Sequence, residues 1–336
     1  MGGTLGVDER RMVPMNGSRQ QWRLLVEHIG ERMSVLLSDV SSTVADQTHG
    51  TGHHLRTAAG AHTSDDTHGA AGIDGTIVRS SLRSWVSARE EFGLLGVRDP
   101  MNPSPFSGIA SNAEVAARLA DLHNLEVTGF ETRGVRVETV QQYADTLDSM
   151  RAIYPRVDIR AARIDTTPSG LLACAHTTAE SGHGFTAEIV LDQRWAVDPQ
   201  GLEAQIRAGV DQRLYVDGSQ HFPLRSLIIH KFGHALYDNG PGVASKDVEE
   251  ALIDHWLTIE PWDQDENIEN LSARFLDWRA QLSGCSFRDD YAIVLDHPEA
   301  TAEAFVDVVL NGENSSEAAL PLFKLLDDNY SQGASS

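Results

Sequence analysis

His230 and His234 stand four residues apart in the run Leu227, Ile228, Ile229, His230, Lys231, Phe232, Gly233, His234, Ala235, Leu236. On a 3.6-residue helix that spacing puts both imidazoles on one face, one turn apart, where two ring nitrogens can converge on a metal ion. Such a pair also arises by chance. Gly233 argues for more, because a glycine inside a helix costs about 1 kcal/mol relative to alanine and points to close packing or to room for something. Farther along, Glu299, Glu303 and Asp307 recur every four residues in an otherwise apolar stretch, so three carboxylates line one helix face. Like charges stacked that way repel unless something positive offsets them. Glu299 reads most simply as solvent-facing, whereas Glu303 and Asp307, flanked by Ala302, Ala304, Phe305, Val306 and Val308, are as apt to face the histidines as water.

The run LIIHKFGHALYDNG resembles the metal-binding helix of gluzincin-type zinc metallopeptidases, which usually reads HEFGHAL. TAEAFVDVVLNG resembles their following helix, whose Glu is the third zinc ligand. The run also resembles the zincin-like domains carried by actinobacterial polymorphic toxins and phage head-associated proteins, and the resemblance covers about residues 111 to 328. This resemblance implies a zincin-like α+β fold with Zn²⁺ held by His230, His234 and Glu303. It makes Asp307 the orienting partner of a ligand imidazole, and Glu299 is placed with it just behind the ligands rather than among them. It also implies that Phe185 to Leu191, with Phe185, Ala187 and Ile189, is the edge strand that lies beside the active-site helix and holds an extended peptide or protein substrate. Tyr237, Tyr291 and His255 are candidates for stabilising an oxyanion.

Lys231 breaks the family pattern. The residue after the first histidine should be Glu, the group that takes a proton from the metal-bound water and passes it to the leaving amine. A protonated lysine does neither, and that proton transfer is worth about 10²- to 10⁴-fold in rate. A divalent ion and a unit charge roughly 5 Å apart interact by about 6 to 7 kcal/mol at an effective dielectric near 20, so attraction becomes repulsion and metal affinity falls. One expectation is that the Lys231 ammonium pairs with Glu303 or Glu299 and partly replaces the metal. Another is that Lys231 faces away and the site still holds zinc. The function expected is that of a metallopeptidase-related protein with impaired or absent hydrolysis. The alternative is a noncatalytic interaction or virion-structural module on the same fold.

Other catalytic patterns are absent from the sequence: it has no GxSxG nucleophile elbow, no P-loop and no dinucleotide fingerprint. Cys174 and His176 share one face of an expected strand and read as a buried thiol beside an ordinary histidine.

The elements that must position these groups follow from periodicity. Ser111 and Glu114 form a capping box for a helix through His123, a strand follows at Leu125 to Phe130, and a helix runs from Val137 to Tyr154, before Pro155. Strands are expected at Val157 to Ile164, Gly170 to Thr178 and Phe185 to Leu191, the last two as a hairpin. Helices are expected at Pro199 to Gly209, Pro223 to Asn239, Asp247 to Leu257, Glu266 to Leu282, Pro298 to Asn311 and Ser316 to Asp328, and a polar tail over 331–336. A small mixed sheet before a helical part makes residues 111–330 an α+β domain.

Residues 1–110 read as a helical amino-terminal region. Trp22, Leu25, Ile29, Met33, Leu36, Val40 and Val44 give one helix an apolar stripe over 18–45, able to pack on its own domain or to self-associate with a second copy. The Gly-, Thr- and His-rich stretch at about 47–75 reads as a flexible linker, and a second helix is expected from Thr76 to Phe92.

The 49 acidic against 27 basic residues, net charge −22, argue against a nucleic-acid or anionic-membrane partner. Two cysteines outside any CxxC pair exclude a disulfide framework and a thiolate zinc site of that kind. No apolar run is long enough for a membrane span, and the start has no apolar core of a signal peptide, so a soluble protein is expected, cytoplasmic or virion-associated.

Overall fold

The structure, a computed structural model, describes residues 104–168, 170–180, 184–238, 243–260, 267–288 and 294–332. The helices expected over 18–45 and 76–92, the self-association assigned to the first, the linker at about 47–75 and Tyr291 lie outside the described residues. Two compact units divide the chain: residues 267–274 fall in one, and the other described residues, including every residue of the site, fall in the second.

The described chain is α+β, with nine α-helices and a four-stranded mixed sheet among the described residues. Helix α1 (Asn112–His123) starts where the Ser111 hydroxyl accepts the Glu114 amide at 3.2 Å, as the Ser-x-x-Glu pattern predicts. Strand β1 (Glu126–Thr128) and helix α2 (Val137–Ile153) follow, then β2 (Ile159–Asp165), β3 (Ala173–Glu180) and β4 (Gly184–Asp192). A short helix α3 (Gln193–Val197), which the periodicity does not predict, is capped by Asp192, whose Oδ1 accepts the Arg194 amide at 2.8 Å. The rest is helical: α4 (Pro199–Asp211), α5 (Pro223–Asp238), α6 (Ser245–Ile259), α7 (Ile268–Arg279), α8 (His297–Asn311) and α9 (Ala319–Gln332). The last helix runs two residues into the stretch expected as a polar tail.

Strand order is β1-β2-β4-β3, with β2 parallel to both β1 and β4, and β3 antiparallel to β4. This corrects one expectation. The strand holding Phe185, Ala187 and Ile189 is internal, because β2 pairs along one side of it and β3 folds back along the other. β3 is the outer strand, and Ala187 and Ile189 are buried, so their strand offers no free edge.

Helix α5 lies against β3 and β4, and α2 packs on α5. The Tyr143 hydroxyl on α2 donates to the Ile189 carbonyl at 2.7 Å and ties that helix to the central strand. Behind α5, Tyr154, Phe232, Phe305 and Phe323 form a chain of ring contacts with centroids about 6 Å apart, joining α2, α5, α8 and α9. Residues 300–310 of α8 are all buried, Glu303 and Asp307 among them, while Glu299 in its first turn is partly exposed. Gly233 does what its placement suggested. A Cβ there would lie 3.1 Å from the Ala302 Cα and 3.3 Å from the Phe305 ring, so the missing side chain lets α5 and α8 approach closely.

Candidate metal centre

Because α5 and α8 approach at Gly233 and Ala302, the imidazoles of one face the carboxylates of the other. His230 Nε2 lies 3.0 Å from one Glu299 oxygen, and His234 Nε2 lies 3.3 Å from the other. Ligand atoms of these three residues all fall within 4.8 Å of one another, and the two rings are 4.8 Å apart at their centroids. Four ligands placed tetrahedrally about 2.0–2.1 Å from a zinc ion are about 3.3–3.4 Å from each other, so the spacing suits a shared ion.

The contacts themselves are not ordinary hydrogen bonds. His230 Nε2 is buried and makes no well-formed hydrogen bond, although a Glu299 carboxylate oxygen stands 3.0 Å away. A buried ring nitrogen without a partner is costly. Burial first, and the Lys231 charge second, push the His230 imidazole down to about 3, so it is neutral at pH 7 with a free lone pair. Burial would raise Glu299, yet the two imidazoles outweigh it and hold this carboxyl well below its usual range. A neutral His230 nitrogen and an ionised Glu299 carboxylate are protonation states that suit a metal.

Glu299 therefore takes the place expected of Glu303. The carboxylate assumed to face solvent reaches both histidines, while Glu303 reaches only His230, at 3.6 Å from Nε2. The reason is direction: α8 runs back along α5, so one turn toward its C-terminus carries a side chain away from His234. The second Glu303 oxygen accepts the Ser283 hydroxyl at 2.8 Å. Burial pushes Glu303 up to about 7, with Ser283 opposing and the Glu299 charge adding to the rise.

Asp307 is two turns from the cluster and orients no imidazole. Its oxygens accept the Asn311 side-chain amide at 2.7 Å and the Ser316 backbone amide at 2.9 Å, closing the end of α8. Tyr237 is half-buried near the end of α5, beside Ser245. His255 packs against Trp278, at 6.2 Å between rings. Neither joins the cluster.

Lys231 does not pair with either glutamate. Among the described residues no ion pair or hydrogen bond of its ammonium is found, and it is half-buried. Its charge nonetheless acts on His230, Glu303, Cys174 and Cys285. Both cysteines are unpaired thiols. Burial pushes Cys285 up to about 12 and raises Cys174 too, so neither is a thiolate at neutral pH. Cys174 Sγ lies 3.3 Å from His176 Nε2, as a shared strand face requires.

Three residues at the site carried no signal in the sequence. Tyr215, Ser283 and Cys285 lie in connections whose spacing says nothing of α8. Tyr215 lines a cavity of about 20 Å³, room for one water, together with Ser219, His230 and Glu303. Burial, aided by neighbouring acidic groups, pushes the Tyr215 hydroxyl up to about 12, so it remains a hydrogen-bond donor. A larger cleft of about 1200 Å³, lined by Tyr215, Ser283 and Cys285, opens beside it.

No protein family, no curated protein and no solved structure matches the chain.

Proposed function

We propose that this chain is a metallopeptidase-related protein of the zincin type, with a zinc centre formed by His230, His234 and Glu299 and with peptide hydrolysis impaired by Lys231. The observation that carries the reading is the convergence of two imidazole nitrogens and a carboxylate, with a buried His230 Nε2 that no hydrogen bond satisfies. The likeness of LIIHKFGHALYDNG to a gluzincin helix supports it independently. Two imidazoles and a carboxylate also suit Fe²⁺, so any metal analysis must read both elements.

A zinc ion held there would supply Lewis acidity toward a carbonyl oxygen and lower the pKa of a bound water. The chain's own groups divide the remaining work unevenly. Lys231 as an ammonium accepts no proton. Tyr215 can donate a hydrogen bond into the cavity it shares with His230 and Glu303. In this reading the outer strand β3, rather than β4, is the one that would align an extended peptide. Lys231 also favours the second reading, a noncatalytic module that keeps the fold and binds a peptide without cutting it.

Zinc and iron content, together with cleavage of a denatured casein substrate, should be compared for the chain and for Lys231→Glu. We expect zinc in both, with more in the glutamate form, and cleavage by Lys231→Glu at least about 10²-fold faster. Equal cleavage by both would overturn the role given to position 231, and absence of metal from both would overturn the centre.

A further inference from the structure

Helix α4 ends in a Schellman turn: the Leu214 amide donates to the Gly209 carbonyl and the Arg213 amide to the Val210 carbonyl, both at 2.8 Å. The residue after the cap in such a turn adopts the left-handed region and is usually glycine. Here it is Arg213, with φ of 59°. An arginine in that conformation is strained, and its side chain does not offset the strain, since it makes no hydrogen bond or ion pair among the described residues. Two further bonds hold the strained segment in place. The Arg213 and Leu214 carbonyls accept the Gly284 and Cys285 amides at 2.7 and 3.0 Å, in the turn after Ser283, which in turn holds Glu303.

Arg213 lines the 1200 Å³ cleft, which shares Tyr215 with the small cavity at His230 and Glu303 and contains Ser283, the hydrogen-bond partner of Glu303. The other lining charges are already answered. Arg288 pairs with Asp296 at 3.0 Å, Asp307 is bonded to Asn311 and Ser316, and Asp217 accepts from Gly218 and Gln220. The cleft exceeds the usual size of a small-molecule pocket and carries amide side chains from Gln212, Gln281 and Asn314 that suit a peptide backbone.

We propose that Arg213 is a specificity residue that captures a carboxylate of an extended peptide lying in this cleft, so the site acts on peptides with an acidic side chain or a free C-terminus there. This rests on the peptide-directed reading of the metal centre. The negative field of the whole chain does not forbid it, because that field is screened within about 8 to 10 Å at physiological salt, while the guanidinium and carboxylate meet at contact.

The test is fluorescence anisotropy of the full chain, after zinc addition, with three labelled decapeptides of one sequence. One carries central glutamates and an amidated end, one has glutamines in their place and an amidated end, and one has the glutamines with a free C-terminal carboxylate. At least one carboxylate peptide should bind about tenfold tighter than the neutral one. That preference should vanish in Arg213→Gly, which supplies the residue the turn prefers, and survive in part in Arg213→Lys. The peptide that wins identifies the source of the carboxylate. Equal binding of all three, no binding of any, or a preference that survives Arg213→Gly overturns the proposal. So does Arg213→Gly lowering the thermal midpoint with the preference intact, which would mark Arg213 as a countercharge for the end of α4. Zinc content of the same samples is read separately: a carboxylate preference without zinc leaves Arg213 in its role and removes the metal centre.

Discussion

At the scale of residues, the centre depends on which of two glutamates one helical turn apart touches both histidines. Glu299 does, and Glu303 stands at the edge of the cluster with its other oxygen on Ser283. Loss of a direct ligand should weaken zinc binding by more than the 10- to 100-fold typical of outer partners. Competition titration against a chromophoric chelator should therefore show a fall of more than about 100-fold for Glu299→Ala and of about tenfold or less for Glu303→Gln. The reverse order would restore Glu303 as the ligand. Lys231, half-buried and unpaired at the same site, explains why removing its charge should tighten zinc in Lys231→Glu.

At the scale of elements, the centre exists because α5 and α8 lie close, and Gly233 is the point of contact. Valine at 233 would push two further methyls beyond a Cβ already 3.1 Å from the Ala302 backbone, which cannot move as a side chain can. Overpacking of this kind costs about 1–3 kcal/mol, and valine gains little helix propensity over glycine to offset it. Urea denaturation of Gly233→Val should show a loss in that range together with weaker zinc binding, and an unchanged midpoint would place the close approach elsewhere. The histidine face, Gly233 and every helix from α4 onward were legible in the sequence, because i, i+4 spacing and amphipathic periodicity are local. Which carboxylate meets the histidines was not. Glu299, Glu303 and Asp307 share one face at equal intervals, and the register of α8 against α5 is fixed by contacts between residues some seventy positions apart. The order of β3 and β4 was hidden for the same reason, since a hairpin pattern does not say which of its strands pairs with β2.

At the scale of the molecule, the buried site ties stability to pH in the zinc-free protein. His230 falls from its ordinary 6.5 to about 3 on folding, and Glu303 rises from 4.5 to about 7. Between about pH 4.5 and 6.5 the unfolded chain holds a proton on His230 and the folded chain holds one on Glu303, so this pair adds no slope. Below pH 4.5 the unfolded chain binds both protons and the folded chain only one, so stability falls toward acid. Above pH 6.5 the unfolded chain has shed both while Glu303 still holds its own, so stability falls as pH rises through 7. Urea midpoints of chelator-treated protein at pH 4, 5.5 and 7.5 should be highest at 5.5, and Glu303→Gln, which leaves only the His230 proton to differ between the states, should turn the upper fall into a rise. A midpoint of the parent chain that climbs from pH 5.5 to 7.5 would contradict these protonation states.

The centre itself is tested most directly by X-ray absorption at the zinc edge on the full chain loaded with one equivalent of zinc. Two imidazole nitrogens and carboxylate or water oxygen are expected at about 2.0–2.2 Å, with no sulfur, and the imidazole signature should be lost in His230→Ala combined with His234→Ala. A sulfur shell at about 2.3 Å would move the metal to a cysteine, and a spectrum of hydrated zinc would remove the centre altogether.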